Sequence, residues 1–399
     1  MNTIPLKEDA VPRLVAIDAL RAGVMVLMIF VNDLWTLTGI PSWLEHAPAD
    51  ANYMGLADVV FPAFLFIVGL SVPYAIQSRR KKGDHKLQLF FHISSRTVAL
   101  LVMGFFHVNM DSYSETASLS KPIWQILVTI GFFLVWLDYT SYKPALSKAL
   151  KAIGILLLIG MAILFESEES SGIMAMKVQW WGILGLIGWA YFISSCVFLF
   201  SGGRLVLQVA AFVFFLFFSA ANNLGWLEFL SGVRPYIWIA GDGAMPALSL
   251  AGIITALLYR QFGSKNSRFW ISVIAFSALL LLFGYLTNPI WGISKIRATP
   301  SWTSICAGIT ALTFALIVYL TEILNQRNWY LPIKAAGTST LTCYLLPYIH
   351  YAVLTLLSIP QLPAFLRTGG IGLAKSLVYA LIIVMITGLL EKRKIRLKI

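Results

Sequence analysis

The segment from Arg13 to Ser71 contains a group of polar residues that could take part in catalysis. It predicts two helices joined by a loop, and polar side chains crowd that loop and its borders: Asn32, Asp33, Glu45, His46, Asp50 and Asp58. Histidine suits proton abstraction near neutral pH, because its ordinary pKa lies close to the working pH. His46 could therefore activate an amine or a hydroxyl, with Asn32 or Asp33 fixing the tautomer of its ring. The alternative is an exposed loop histidine without a role.

A charged pair lies inside the first predicted helix. Asp18 and Arg21 are three residues apart, so they share one helix face and can neutralise each other. Charges at this depth in an apolar helix are costly, and they mark a functional site or an internal lock. Arg21 could contact a phosphate or carboxylate of a ligand, or the pair could be a structural ion pair.

Three other segments carry candidate binding residues. Asp242 lies between two glycines in IAGDGAMPALSLAG, where a ligand could approach closely, although a helix N-cap explains it as well. Lys295 and Arg297, in NPIWGISKIRATPSWTS, could bind a ligand or form a solvated loop pair. The basic run QSRRKKGDHK, with Arg79 and Arg80, could attract nucleotide phosphates or could anchor the chain at the membrane.

The elements that must position these residues are transmembrane helices. The chain has 399 residues, of which 58% are hydrophobic and only 12% charged, and its mean hydropathy is +0.79. Uncharged apolar runs of roughly 17 to 22 residues recur from end to end, each long enough to cross ~30 Å of hydrocarbon. Only helices satisfy their backbone in such runs when they face lipid.

The sequence predicts an all-α, polytopic transmembrane bundle of about twelve helices, within a range of 10–12, in a single domain over residues 1–399. The first helix is expected to be retained, because no cleavage pattern follows it. The predicted helices are 14–31, 57–77, 93–110, 122–138, 150–165, 180–200, 204–221, 244–260, 269–287, 302–322, 332–357 and 371–390.

The distribution of basic residues predicts that both termini are cytoplasmic. Alternate loops and the termini divide the Lys and Arg residues into two sets, with 22 in the set that includes Lys7, Arg13 and the C-terminal tail, and 7 in the other. Short cytoplasmic loops retain positive charge. His46, Asp242, Lys295 and the acidic residues Glu166, Glu168 and Glu169 then fall on the outer face.

Several classes of protein and site are disfavoured by the composition. The net charge of +12 is spread over many short loops, so no basic face for nucleic acid is predicted. Cys196, Cys306 and Cys343 all fall in predicted helices without the close partners of a disulfide framework or a metal site. No metal site is predicted.

Seven segments in order resemble the heparan-α-glucosaminide N-acetyltransferase-like family. They are RLVAIDALRAG, VND, WLEHA, DVVFPAFLFIVGLS, GDGAMPALSLAG, SKIRATPSWTS and AGTSTLTCYLLPYIH. The resemblance implies a multi-pass acyltransferase of the bacterial inner membrane. Such an enzyme takes acetyl groups from cytosolic acetyl-CoA and delivers them to an amino sugar or other glycan on the opposite side.

The resemblance also implies roles for individual residues. His46 matches the active-site histidine, as general base or acetyl carrier, and Asn32 matches its catalytic neighbour. Asp242 and Lys295 match polar positions that line the site, and the expected substrate-binding set adds Asp33, Glu45, Asp58, Arg297 and Trp302. The residues expected to hold the acetyl-CoA donor are Arg21, Arg79, Arg80 and Arg96.

Two departures from the family pattern put the acceptor in doubt. APADANYMGLAD follows His46 where relatives have a Trp-Asn-Gly turn, and Ala22 stands where they have glycine. Two other functions remain open, a secondary transporter of a sugar or sugar derivative and a membrane scaffold. The sequence does not identify the acceptor, and it does not distinguish direct transfer from transfer through a covalent acetyl-histidine. It also leaves the oligomeric state open, with a homodimer as one possibility. Membrane lipid is expected to surround the protein.

Overall fold

A computed structural model describes residues 14–167 and 175–399 of the chain. Lys7, Arg13, Glu168 and Glu169, which entered the topology prediction, lie outside these residues. The described residues form helices and loops, and their only β-type pairings are three isolated bridges. The prediction of an all-α fold is confirmed.

Thirteen α-helices are present in the described part of the chain. They are α1 (Val15–Asp33), α2 (Leu56–Lys81), α3 (Lys86–Asn109), α4 (Lys121–Trp136), α5 (Pro144–Ile163), α6 (Ile183–Phe200), α7 (Leu205–Asn223), α8 (Ala244–Phe262), α9 (Ser267–Trp291), α10 (Pro300–Val318), α11 (Lys334–Thr338), α12 (Thr340–Leu356) and α13 (Gly369–Lys392).

Every predicted apolar run contains a helix, but the eleventh is broken. Residues 332–357 were expected to form one helix, whereas α11 ends at Thr338 and α12 begins at Thr340, with non-helical backbone at Ser339. At this point Gly337 lies against α1, and a Cβ added to it would be 2.8 Å from the Asp18 carbonyl oxygen. The close approach of α11 to α1 therefore accompanies the break.

The chain is a multi-pass membrane protein. Within the described residues, nine helices are long and apolar enough to cross a bilayer, and α4 and α12 are shorter apolar helices. The longest, α2, has 26 residues, which corresponds to about 39 Å of helix. Helix α8 is buried without interruption from Ala244 to Leu258 and contacts α2, α6, α7 and α10.

Contacts between loops define two ends of the bundle. At the end where α1 finishes and α2 begins, hereafter the His46 end, Thr38 pairs with Thr368 just before α13. At the opposite end, hereafter the Arg79 end, Leu137 after α4 pairs with Leu397 of the C-terminal tail. Helix α1 therefore begins at the Arg79 end, and α13 ends there.

The C-terminal tail is fastened to the Arg79 end by Asp138. Arg396 lies 3.1 Å from one oxygen of this buried carboxylate, and Lys398 lies 3.4 Å from the other. Burial alone would raise the pKa of Asp138, but hydrogen bonds from Thr140 and Arg396 outweigh it and lower the pKa to about 2. The carboxylate therefore stays charged and holds the tail at neutral pH.

Helices α2 and α8 are in backbone contact through glycine. A Cβ added to Gly69 would lie 1.8 Å from the Ser249 carbonyl oxygen, and one added to Gly252 would lie 1.9 Å from that of Phe66. Small residues let helices approach this closely in membranes. This contact fixes α2, whose first turn carries the residue that organises the candidate site.

Candidate active site

Asp58, in the first turn of α2, organises the loop that carries His46. One carboxylate oxygen lies 2.7 Å from His46 Nδ1, and the other accepts hydrogen bonds from the backbone N–H groups of Ala47 at 2.9 Å and Gly55 at 3.1 Å. Asp58 is fully buried. The expectation that Asn32 or Asp33 fixes the imidazole is therefore corrected, because Asp58 occupies Nδ1.

The loop between α9 and α10 brings a cation to the same place. It docks on the α1–α2 loop, where the Asn52 side-chain oxygen accepts a hydrogen bond from Ile293 N–H at 2.7 Å. Lys295 Nζ then lies 3.3 Å from His46 Nδ1 and 4.0 Å from Asp58 Oδ1. Burial lowers the pKa of Lys295, and the Asp58 carboxylate opposes this effect.

Trp302, at the start of α10, supports Asp58 from the opposite side. Its side chain is fully buried, and its indole N–H donates a hydrogen bond to the Asp58 carbonyl oxygen at 3.1 Å. The predicted residues Asp58, Lys295 and Trp302 thus come together around His46, although up to 256 positions of sequence separate them from it.

This arrangement determines which nitrogen of His46 can react. The Asp58 carboxylate can only accept a hydrogen bond, so Nδ1 of His46 carries the proton and donates it to Asp58 at 2.7 Å. Nδ1 then cannot accept from Lys295, and Nε2 retains its lone pair. The His46 side chain is 48% exposed. The ring is therefore oriented as a general base whose basic nitrogen is accessible.

His46 lies on the wall of a cavity of about 880 Å³ at the His46 end of the bundle. Asn32, at the end of α1, and Glu45 line the same cavity, so the structure brings these two predicted residues to the histidine's side. Ile29 of α1 and Tyr344 of α12 also line it. The volume is within the range of ligand pockets in proteins.

Five polar lining residues were missed by the sequence reasoning. They are Asp111, Gln125, Tyr344, Tyr348 and Tyr351. The Gln125 side-chain N–H donates to the Tyr348 carbonyl oxygen at 2.8 Å, and the Tyr344 and Tyr348 hydroxyl groups are 3.0 Å apart. The tyrosines are four and three positions apart, which places them on one helix face, so this spacing was a usable signal.

Asp33 lies in a helix contact and not in the cavity. One of its oxygens is 2.7 Å from Lys375 Nζ and accepts a 2.5 Å hydrogen bond from the Ser376 hydroxyl group, both on α13. The Tyr351 hydroxyl group donates to the other oxygen. Arg297 is exposed and does not line the cavity either. Neither residue lines this cavity, and the substrate-binding role expected of both stays a prediction.

Asp242 lies away from His46, before α8. One carboxylate oxygen accepts the Ala244 N–H at 2.9 Å, and the other accepts the Trp238 indole N–H at 2.7 Å. Burial raises the pKa of Asp242, and this effect exceeds the opposite effect of the two hydrogen bonds, so the pKa is above its ordinary value. It caps the helix, as the simpler interpretation of the sequence had it, and it also holds Trp238.

The four arginines expected at the donor are distant from His46. Arg21 contacts Asp18 at 3.2 Å, the Ser71 hydroxyl group at 2.6 Å and the Gly337 carbonyl oxygen at 3.4 Å. Arg79 pairs with Asp84, Arg80 is exposed, and the Arg96 guanidinium lies over the Tyr191 ring. Asp58 and Arg79 are 21 residues apart on one helix, or about 31 Å.

The chain is similar to one protein family and to two curated proteins. A family described as a domain of unknown function, DUF5009, matches residues 13–241. The human heparan-alpha-glucosaminide N-acetyltransferase is 35% identical over 99 residues, which are 25% of this chain and 14% of that protein. The mouse protein of the same name is 30% identical over 143 residues, 35% of this chain and 21% of that protein. The chain thus aligns with less than a quarter of these relatives' length, and the resemblance seen in the sequence is confirmed.

Proposed function

The chain belongs to the DUF5009 family, and from this premise we propose that it is a transmembrane acetyltransferase. It moves an acetyl group from acetyl-CoA to an amino sugar or other glycan acceptor at the His46 end. The single observation that carries the proposal is the hydrogen bond from His46, which lines a ligand-sized cavity, to the buried Asp58 carboxylate. The proposal that the transferred group is acetyl rests on the names of the two relatives, both heparan-alpha-glucosaminide N-acetyltransferases.

In the proposed reaction His46 acts as general base. The acceptor nitrogen or oxygen forms a bond to the thioester carbonyl carbon while its proton moves to Nε2 of His46. The bond to sulfur then breaks, and the imidazolium returns the proton to the thiolate. Asp58 stabilises the imidazolium, and the Asn32 amide and Lys295 ammonium favour negative charge on the carbonyl oxygen. In a two-step alternative, Nε2 attacks the thioester carbonyl carbon and the coenzyme A thiolate leaves. The acceptor then attacks the acetyl carbon, the bond to Nε2 breaks, and the acceptor's proton passes through the freed imidazole to the thiolate.

The donor would approach from the Arg79 end. Arg79, Arg80 and Arg96 offer positive charge to the phosphates of coenzyme A. Arg21 lies eight residues from Ile29, which lines the cavity, so about 12 Å of helix separates the two. The helices around Arg21 would have to part for the thioester to reach His46.

The proposed orientation puts the Arg79 end in the cytoplasm and the His46 end in the periplasm of a bacterial inner membrane. The excess of Lys and Arg in the loops of the Arg79 end supports it. Acetyl-CoA is then met on the cytoplasmic side, and the acceptor glycan on the other.

The test is acetyl transfer by the purified full-length protein. Labelled acetyl-CoA and glucosamine are supplied to wild type, to His46→Ala and to the control Asp50→Ala, which changes an exposed residue of the same loop that does not line the cavity. We expect product from wild type and Asp50→Ala, and a loss of at least 10²-fold in His46→Ala. Equal turnover in all three would refute the role of His46.

One observation favours a secondary transporter as a second candidate function. The break between α11 and α12 gives a discontinuous helix beside Arg21, near the Arg79 end, and discontinuous helices also form the substrate sites of many transporters. This candidate predicts uptake of glucosamine into proteoliposomes without any acetyl donor. Uptake that His46→Ala leaves intact would favour transport over acetyl transfer.

A further inference from the structure

A second cavity, of about 380 Å³, opens at the same end of the bundle. Three tryptophans line it, Trp180 and Trp181 before α6 and Trp238 before α8; we call it the tryptophan pocket. Asn222, Glu228 and Arg234 add an amide, a carboxylate and a guanidinium to its wall. Its volume is within the range of small-molecule sites.

Trp238 is held rigidly in this pocket. Its indole N–H donates to the buried Asp242 carboxylate at 2.7 Å, and the Arg234 guanidinium lies 4.6 Å from the centre of its ring. Cation–π contact and a buried hydrogen bond both restrict the rotation of the ring. Asp242, which the sequence singled out for the active site, therefore serves the tryptophan pocket.

Two lining residues carry polar atoms without partners among the residues that the structure describes. The Trp180 indole N–H and the Arg234 Nε–H are both buried and without a hydrogen-bond acceptor there. A buried donor that loses water and gains no acceptor is unfavourable in free energy. Both donors are below the surface of the pocket, so a hydroxyl oxygen of a ligand reaches them only when these side chains turn towards it.

From these observations we infer that the tryptophan pocket binds a saccharide ring. A pyranose has one face of C–H groups, which packs on an indole ring, and a rim of hydroxyl groups, which exchange hydrogen bonds with carboxylate, amide and guanidinium side chains. The pocket combines both kinds of surface, with fixed aromatic rings and a mixed polar rim. Because Glu228 and Arg234 have opposite charge, the wall has no strong bias towards either sign of ligand.

One segment of the chain contributes to both the tryptophan pocket and the cavity of His46. Trp181 lines the first and Ile183 the second. This segment is pinned at Lys177, whose backbone exchanges hydrogen bonds of 2.8 and 2.9 Å with the Asn109 side chain, directly before Met110 and Asp111 of the larger cavity. If the proposed acetyl transfer holds, the pocket binds a second ring of the acceptor, beyond the ring that is acetylated.

The kinetic test compares glucosamine with its β-1,4-linked disaccharide as acceptors for the full-length protein. The measured quantity is the ratio of kcat/KM for the disaccharide to that for the monosaccharide. We expect Trp238→Ala to lower this ratio at least fivefold and Trp238→Phe, which keeps an aromatic face, to lower it less. The control Trp226→Ala removes an exposed tryptophan at the same end that does not line the pocket, and should keep the wild-type ratio.

A binding test separates failure of the pocket from failure of the proposed function. Equilibrium binding of the same disaccharide is measured in His46→Ala protein, alone and with each tryptophan substitution added. Weaker binding with Trp238→Ala but not with Trp226→Ala supports the pocket even if no acetyl transfer is ever seen. Absence of binding, or equal binding by Trp238→Ala, Trp238→Phe and Trp226→Ala, overturns it and leaves these tryptophans as a membrane-interface belt.

Discussion

At the residue scale, the chemistry of His46 depends on two side chains that approach it from different parts of the chain. Asp58 comes from the next helix, and Lys295 comes from a loop that docks 249 positions later. Both contact Nδ1, so both leave Nε2 free. The carboxylate selects the reactive tautomer, and the ammonium adds positive charge beside it.

Asp58→Asn should abolish most of the acetyl transfer. The two backbone N–H groups of Ala47 and Gly55 need an acceptor oxygen, so the new amide must turn its NH₂ group towards His46. Nδ1 then has to accept, and the proton moves to Nε2, which is the wrong tautomer for a base. We expect kcat to fall on the order of 10²- to 10⁴-fold.

The matched control for Asp58→Asn is Asp50→Asn, an exposed carboxylate in the same loop. Acetyl transfer and thermal unfolding are measured for both variants. Similar kcat values in the two would contradict the assigned role of Asp58.

The charge of Lys295 should set an alkaline limit to activity. Burial lowers its pKa below the ordinary value, so the charged form is present below that lowered pKa and is lost as pH rises through it. Arginine stays charged above pH ~12. In Lys295→Arg, the fall of kcat at alkaline pH should therefore begin at a higher pH than in wild type, after subtraction of spontaneous thioester hydrolysis. Superimposable pH profiles would refute this prediction.

At the element scale, α13 is tied to the end of α1 through Asp33. Its carboxylate is 3% exposed and is shared by Lys375, Ser376 and the Tyr351 hydroxyl group. Tyr351 also lines the cavity, and Asn32 directly precedes Asp33. The ion pair therefore holds both the helix contact and one wall of the site.

Lys375→Met should destabilise the protein strongly. It leaves the buried Asp33 carboxylate without its cation, which typically costs about 3–5 kcal/mol. The second substitution Asp33→Asn removes the orphaned charge and should recover part of the loss. The coupling is measured by thermal unfolding of the two single variants and the double variant in one detergent. If the losses of stability in the single variants add up to the loss in the double variant, the pair is not coupled.

Gly252→Ala should separate α2 from α8. The added Cβ would lie 1.9 Å from the Phe66 carbonyl oxygen and 2.8 Å from the Leu70 nitrogen, so one backbone must move. Overpacking of this kind costs roughly 1–3 kcal/mol. In Gly160→Ala on α5, the added Cβ has no atom within 4 Å among the described residues, so this control should unfold like wild type. A melting temperature for Gly252→Ala equal to that of the control would contradict the backbone contact.

At the scale of the whole molecule, the two ends of the bundle should face opposite compartments. Asp50→Cys tests the His46 end and Lys82→Cys tests the Arg79 end, each at an exposed position and in a chain with the half-buried Cys196 replaced by Ala. A membrane-impermeant maleimide should label Asp50→Cys in intact cells, and Lys82→Cys only after permeabilisation. The reverse pattern would invert the proposed orientation.

The sequence by itself determined the class of protein and the position of its helices. Apolar length and the bias of Lys and Arg are local properties, since ~30 Å of hydrocarbon imposes them on each segment separately. All twelve predicted runs therefore contain helices. The break at Ser339 was missed because it accompanies a contact with α1, which no local pattern records.

Which polar residues act together depends on the tertiary structure. His46 was identified from its type and its loop, but its partner is Asp58, and Asp33 and Asp242 serve other contacts. Residues of α4 and α12 line the cavity because of the way these helices pack. Sequence separation does not indicate which helix faces meet across a bundle, so this lining could not be predicted. The crowded loop thus indicated where the chemistry lies, and the packing of distant helices determined which side chains take part in it.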